Sequence, residues 1–398
     1  MILKGLNNER NIKKIYYGYI TLVPCLMIFM PDIILGVMAI SSFLMIFLNI
    51  KLMKKVIKYN YNYLLVIFVI YTFLVAIFNN NNLGIISSIM FLMMIIYIMY
   101  LRYVMNKKIF NVMTYIIGFG SIFSYLYIKI DSKYVLTNMI LNILRNNFHL
   151  NFDYFYNTNI QTASTFFNRN YFGYIVAIVI ILMVFRLFYS LKNIKNNKLY
   201  LIDIVLVPIF IYFNLKSLVI SESRGAYLAL IVGLVILLVM MFNSLTLAIV
   251  LLGIYVLLNI NSFINIIPRI ESVIPSFHSR LYLWHKGMSY VADNPLFGGG
   301  FYIMLNNEGV VHSHNIFIES LVCFGLIGLF IVISFVVLSM IDKIKNWINN
   351  KNHFIPLIVS LLVATLVHGF NDMILFSPST FILFGIMYSF MEIDVHKD

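Results

Sequence analysis

Charge is what this chain has least of. Only 11% of its 398 residues are Asp, Glu, Lys or Arg, against 62% apolar, and mean hydropathy is +0.92. A soluble domain carries about a quarter charged residues, so this composition cannot clothe a water-soluble surface. Cytosolic enzymes, nucleic-acid binders and disordered tails are excluded on that ground. Strand-like alternation is missing too. Apolar residues run on for about 20 positions instead of recurring at every second one, which excludes an outer-membrane barrel. Cysteine is nearly absent: Cys25 and Cys323 stand far apart in apolar segments, so neither a disulfide framework nor a thiolate metal site is expected. No Gly/Ser or Pro linker and no fixed-period repeat divides the chain, and it reads as one membrane domain, 1–398. No cleavable signal is expected. Residues 1–14 are polar and end in Lys13-Lys14, and no A-x-A-like site follows the first apolar run. Leu22-Val23-Pro24-Cys25 resembles a lipoprotein box only superficially, because proline stands directly before the cysteine.

What is present is a series of apolar runs. Twelve are read, at roughly 15–30, 33–49, 61–78, 83–101, 109–128, 171–190, 199–220, 225–243, 245–261, 315–341, 354–370 and 374–391. Twenty helical residues rise about 30 Å, enough to cross the hydrocarbon core. The fold class is therefore all-α: a polytopic membrane protein of about twelve transmembrane helices. One large loop, 262–314, separates spans nine and ten and should contain short helices.

The formal charge of +13 comes from 28 Lys and Arg against 15 Asp and Glu. With the N-terminus inside, nineteen of the 28 basic residues fall on the cytoplasmic side, as the positive-inside bias requires. Both termini are thus expected in the cytoplasm, and the excess charge is read as topogenic. Nine cations remain outside: Lys129, Lys133, Arg145, Arg169, Lys216, Arg224, Arg269, Arg280 and Lys286. Topology does not explain them.

Three stretches at the outer face carry chemistry. Ser221-Glu222-Ser223-Arg224-Gly225-Ala226 opens span eight. Its arginine either snorkels to headgroups or clamps an anion, since guanidinium presents a planar fork to phosphate oxygens. Gly225 would let a ligand approach the backbone. His278-Ser279-Arg280-Leu281-Tyr282-Leu283-Trp284-His285-Lys286 lies in the large loop. Arg280, Trp284 and Met288 recur every four residues and should share one face of a helix that ends at Asp293-Asn294-Pro295. That helix either lies on the membrane with Trp284 as anchor or binds a ligand. Gly298-Gly299-Gly300 should then form a flexible turn. His312-Ser313-His314-Asn315 precedes span ten. Two histidines with no third ligand nearby in sequence are not a metal site. A histidine at a membrane boundary is a suitable general base, and Asn315 a suitable helix cap. Phe166-Phe167-Asn168-Arg169-Asn170-Tyr171 and His368-Gly369-Phe370-Asn371-Asp372 also lie at the outer boundary. In the second, His368 and Asp372 sit four apart and would simply pair.

The order of these stretches resembles the O-antigen ligase/polymerase family. The resemblance rests on Ser223-Arg224-Gly225-Ala226, and on Arg280 through Trp284 with Asn294-Pro295-Leu296-Phe297-Gly298-Gly299-Gly300. It rests further on His314-Asn315-Ile316-Phe317-Ile318-Glu319 through Gly325-Leu326-Ile327-Gly328, and on Thr165-Phe166-Phe167-Asn168-Arg169-Asn170 without the usual leading glycine. It spans about residues 165–372. The family implies glycan transfer from an undecaprenyl-diphosphate carrier on the outer face of the bacterial cytoplasmic membrane. On this resemblance Arg224 and Arg280 would bind the diphosphate, and His314 would activate the acceptor hydroxyl. Asn168, Arg169, Asn170, Trp284, His312 and Asn315 would line the substrate site. The expected partners are the lipid-linked donor, a glycan or lipid-linked acceptor and membrane lipids, with a chain-length regulator or flippase as candidate protein partners. No nucleic acid, cofactor or metal is expected. A capsule- or O-antigen-type polymerase with inversion at the anomeric carbon is the first reading. A ligase acting on a lipid core or protein is the second, and a transporter or lipid-linked oligosaccharide flippase the third.

Overall fold

A computed structural model of the chain describes residues 29, 50–130, 168–195, 198, 200–242, 273–350 and 354–393. Apart from Phe29, the expected spans 15–30, 33–49 and 245–261 lie outside the described residues, as do 131–167 and 262–272 of the two long loops.

All regular structure among the described residues is helical. In chain order the helices are α1 (Ile50–Lys58), α2 (Asn62–Phe78), α3 (Asn82–Val104), α4 (Lys107–Ile130), α5 (Arg169–Asn193), α6 (Tyr200–Ser221) and α7 (Arg224–Met241). They continue with α8 (Val273–Asp293), α9 (Ile303–Glu308), α10 (Ile316–Asn350), α11 (Phe354–Gly369) and α12 (Pro378–Ser389). Short 3-10 turns, Ile374–Phe376 and Phe390–Glu392, flank α12.

Six of these helices are long and apolar enough to cross a membrane, and a seventh span results if α1 and α2 are joined across their 97° bend. The expected twelve are therefore not confirmed: six or seven are seen among the described residues, and three of the expected spans lie outside them. Two expected spans fall short. α11 has 16 residues, about 24 Å of rise, and the 374–391 segment breaks at Pro378 into a 12-residue helix, about 18 Å. Proline at the first helical turn starts a helix but cannot sit inside one.

The most deeply buried span is α5. α6, α7 and α11 pack around it, and small residues set how closely they approach. A Cβ on Gly233 of α7 would lie 3.0 Å from Ala364 Cβ of α11, and one on Gly173 of α5 would lie 2.7 Å from Ser223 Cβ. The second contact brings the first turn of α7 against α5.

At one end of the bundle two ion pairs are buried. Arg102 Nη2 lies 2.7 Å from Glu392 Oε1, between the rings of Phe335 and Tyr388. Lys343, Tyr59 and Asn60 complete the shell of Glu392. Arg186 Nε lies 2.8 Å from Asp203, which also accepts from Tyr115 and Ser190. The sequence reading treated Arg102 and Arg186 as topogenic surface charge. They are instead 0% and 3% exposed, fixed by carboxylates because a buried guanidinium without a partner is prohibitively costly. Lys51, Lys54, Lys55 and Lys58 on α1 do face outward.

At the other end α10 is interrupted. Gly325 takes a left-handed φ of 59°, which breaks the hydrogen-bond ladder and frees carbonyls before it and amides after it. Residues 295–300 fill the gap. Gly299 N and Gly300 N donate to Val322 O and Cys323 O at 2.9 and 2.8 Å, and Leu326 N and Ile327 N donate to Pro295 O and Leu296 O at 2.9 and 3.1 Å. The turn over Asn79–Asn82 braces this splice: Asn81 Nδ2 donates to Gly299 O and Phe301 O, and Tyr71 Oη to Phe297 O and Phe324 O. The triple glycine is therefore no flexible turn. Its residues lack side chains because backbone passes against backbone, and a Cβ on Gly298 would lie 2.7 Å from atoms of residues 323–325.

Candidate functional site

The same end collects the candidate residues. Arg224 opens α7 behind Ser223 as N-cap. Its Nη2 donates to Ser276 Oγ on α8 at 2.9 Å. One turn on, Arg280 Nη1 reaches Asn371 Oδ1 at 3.4 Å. Residues four apart on a helix are neighbours, about 6 Å between Cβ atoms, so α8 brings the two guanidinium groups to one patch. The buried face of α8 carries Arg280, Leu283, Trp284 and Gly287. A Cβ on Gly287 would lie 2.7 Å from Ile318 of α10, so this glycine sets the approach. Trp284 packs edge-on against Phe370 and Phe277. Met288, expected on the same face, is 47% exposed, because an eight-residue step in a helix of 3.6 residues per turn drifts off the contact stripe.

His314 sits in the loop before α10 with φ of 53°, a conformation rare outside glycine. Two devices hold it. Asn315 Oδ1 caps α10 by accepting from Phe317 N and Ile318 N, as the sequence suggested. Glu319, fully buried, reaches back past the cap to accept from Ser313 N at 2.7 Å. His314 is then placed with Nδ1 2.9 Å from Asp372 Oδ1. Asp372 does not pair with the His368 side chain. Its Oδ2 accepts from Asn170 Nδ2 at 2.7 Å, and Asn170 Oδ1 accepts from Ser223 Oγ at 3.1 Å. A continuous polar chain thus runs Ser223, Asn170, Asp372, His314. It ties the arginine-bearing end of α7 to the histidine through α5 and the loop after α11.

The electrostatics suit a base. Burial alone would raise the Asp372 carboxyl, but the His314 hydrogen bond, the two histidines and Asn170 outweigh it and hold the group well below the ordinary carboxylate range. An ionised Asp372 accepting the Nδ1 proton leaves Nε2 of His314 as the basic nitrogen. His312 is pushed down to about 4, mainly by burial and then by His314. It is neutral at pH 7, and its Nδ1 accepts from His314 N at 3.2 Å.

Other expected site residues are placed differently. Asn168 caps α5, its side chain accepting from Asn170 N. Arg169 pairs with Glu222 at 3.0 Å at the surface. Asp372, Asn371 and Ser276 were not among the expected site residues. The only sequence signal was a short polar pair, Asn371-Asp372, closing an apolar run. The sequence also offered no third metal ligand for the histidines. Folding supplies one: His312, His314 and Asp372 each present an atom within 4.8 Å of the others. Histidine nitrogens and a carboxylate are a chemically suitable zinc set. The Asp372 oxygens, however, already accept three N–H groups, from His314, Asn170 and Met373.

Residues 209–333 match the family model described as O-antigen ligase, a stretch that holds Arg224, Arg280 and His314 and leaves out Asn170 and Asp372. No curated protein matches the chain. Over residues 209–333 the chain is thus similar to the O-antigen ligase family, and it carries six helices long and apolar enough to cross a membrane among the described residues.

Proposed function

We propose that the chain transfers a glycan from an undecaprenyl-diphosphate carrier to a sugar hydroxyl, on the outer face of the cytoplasmic membrane. The observation that carries this reading is the polar chain from Ser223 to His314, which holds a base and an arginine pair in one rigid frame. In this reading His314 Nε2 takes the acceptor proton as the hydroxyl attacks the anomeric carbon, and Asp372 stabilises the imidazolium that forms. Arg224 and Arg280 neutralise the diphosphate as it leaves. Its charge grows in the transition state, so their effect is largest there.

Single displacement inverts the anomeric centre, and the alternative needs a positioned carboxylate nucleophile. Glu319 is occupied by Ser313 N and by Cys323, and Asp372 by its three donors, which supports inversion. Asp372, with three N–H groups already on its oxygens, also supports metal-free chemistry. Polymerisation of lipid-linked repeat units remains the first reading for the acceptor. The matched family description favours ligation to a lipid core equally, since the two share the donor half-reaction.

The test is transfer by purified protein in nanodiscs supplied with lipid-diphosphate-linked repeat units, in excess EDTA. A ladder of products supports the polymerase. A single product that forms only when core lipid is added supports the ligase. No transfer under either condition, with activity restored by zinc or magnesium, would overturn the metal-free mechanism and point to His312, His314 and Asp372 as ligands.

A further inference from the structure

His368 has no role in the mechanism above, and its surroundings leave it unexplained. It is 1% exposed, at the end of α11. Its backbone carbonyl anchors the polar loop by accepting from Asn371 N and Asp372 N, yet neither ring nitrogen makes a well-formed hydrogen bond, the Asn170 backbone lying beside the ring. Tyr174, which meets the ring edge-on at 5.4 Å, has its hydroxyl engaged with Thr365 at 2.8 Å. A buried polar group without a partner costs roughly 1–3 kcal/mol, so an orphan imidazole calls for a ligand that completes it.

The place it faces narrows the choice. His368 Nε2 lies 3.5 Å from where a Cβ would stand on Gly225, and Asn371 Cβ lies 3.6 Å from the same point. These are ordinary contact distances, so the space over Gly225 is open to an atom the size of a methyl group. Gly225 follows Arg224, and Asn371 accepts from Arg280. The nitrogen therefore opens at the residue after Arg224 and next to Asn371, the partner of Arg280, at the first turn of a helix whose dipole favours anions.

We propose that His368 is a third ligand of the donor diphosphate, its Nε2–H donating to a phosphoryl oxygen that enters the space above Gly225. Two arginines supply charge from α7 and α8, and His368 supplies a directed hydrogen bond from below. Gly225 is bare because a side chain there would fill the oxygen's place. This inference rests on the anion-clamp reading of Arg224 and Arg280.

The experiment measures farnesyl diphosphate binding to the full chain in zwitterionic nanodiscs, together with melting temperature. His368→Leu removes the orphan polar group at similar volume. It should keep or raise the melting temperature while weakening binding at least about tenfold, as expected for loss of a hydrogen bond to a charged group. Gly225→Ala should act alike, since alanine is the better helix former but occupies the space. His368→Gln, which keeps a donor, should recover part of the affinity. If both His368→Leu and Gly225→Ala bind as tightly as the parent while Arg224→Ala does not, His368 is a packing residue and the proposal falls alone. If Arg224→Ala also binds normally, the anion clamp falls with it. Displacement of the probe by phosphatidylglycerol at equal concentration would assign the site to a lipid headgroup and overturn the diphosphate assignment.

Discussion

Asp372 shows how much one buried carboxylate can organise. It joins α5 and the loop before α10 to its own loop after α11 through three hydrogen-bonding groups, and it selects which nitrogen of His314 is basic. Asp372→Asn keeps the shape but removes the charge that stabilises imidazolium. Transfer should fall by roughly 10²–10⁴-fold, the usual worth of a positioned base, while farnesyl diphosphate still binds. Equal losses of binding and turnover would mean that the residue holds the fold and not the proton. His312 makes a different prediction. Its folded value near 4 lies below the ordinary one near 6.5. Between those values the unfolded chain binds a proton that the folded chain refuses, so stability rises with pH across that window and is lost as pH falls. The groups that face it are His314 and Asp372. Melting temperature should decline from pH 6.5 to pH 4, and His312→Asn should flatten the slope. An unchanged slope would assign it to other groups.

At the scale of elements, the splice at Gly325 is what gives the glycine motif its meaning. The spacing of Gly298, Gly299, Gly300 and Gly325 was plain in the sequence, but a glycine run reads equally as hinge or as close packing. Only the freed carbonyls of Val322 and Cys323 tell the two apart. Gly298→Ala adds a Cβ 2.7 Å from backbone and forces a φ of 67° on a non-glycine residue. Strain and overpacking together should cost about 2–5 kcal/mol. Gly309 shares the positive φ but has nothing within 4 Å of its Cβ position. Gly309→Ala should therefore cost only the strain, and a thermal melt of the two variants separates the terms. Helix positions were legible in the same way. α2 to α7 fall where apolar runs were read, because uninterrupted hydrophobic stretches leave little choice of period. The 374–391 segment was not legible, because Pro378 lies inside an apolar run whose break is local. Of the site, Arg224, Arg280, His314 and the cap Asn315 carry sequence motifs. The Asn170–Asp372 contact joins residues 202 apart, and no local pattern encodes it.

On the scale of the whole molecule, the two ends differ in kind. One end holds buried ion pairs and the lysine face of α1, and the other holds the arginine pair, His314 and the glycine splice. With the basic bias of the sequence, the first end should be cytoplasmic. Tyr282, 58% exposed on α8, gives the test. A cysteine placed there should react with an impermeant maleimide in intact cells, and one at Lys54 only after lysis. The reverse pattern would invert the topology and move the proposed chemistry to the wrong side of the membrane.

The pairing of Arg102 with Glu392 also bears on the order in which the protein can be finished. The partners are 290 residues apart, and the acid lies in the last described turn. A ribosome making about 5–20 residues per second delivers the arginine many seconds before its counter-charge. Until then the α3 guanidinium needs a stand-in, such as water or a lipid phosphate at the bilayer edge. Its withdrawal between Phe335 and Tyr388 must await the synthesis of Glu392. The turn that carries Glu392 thus acts as a latch between distant parts of the chain: without it α3 would carry an unmatched buried cation, a defect worth about 3–5 kcal/mol.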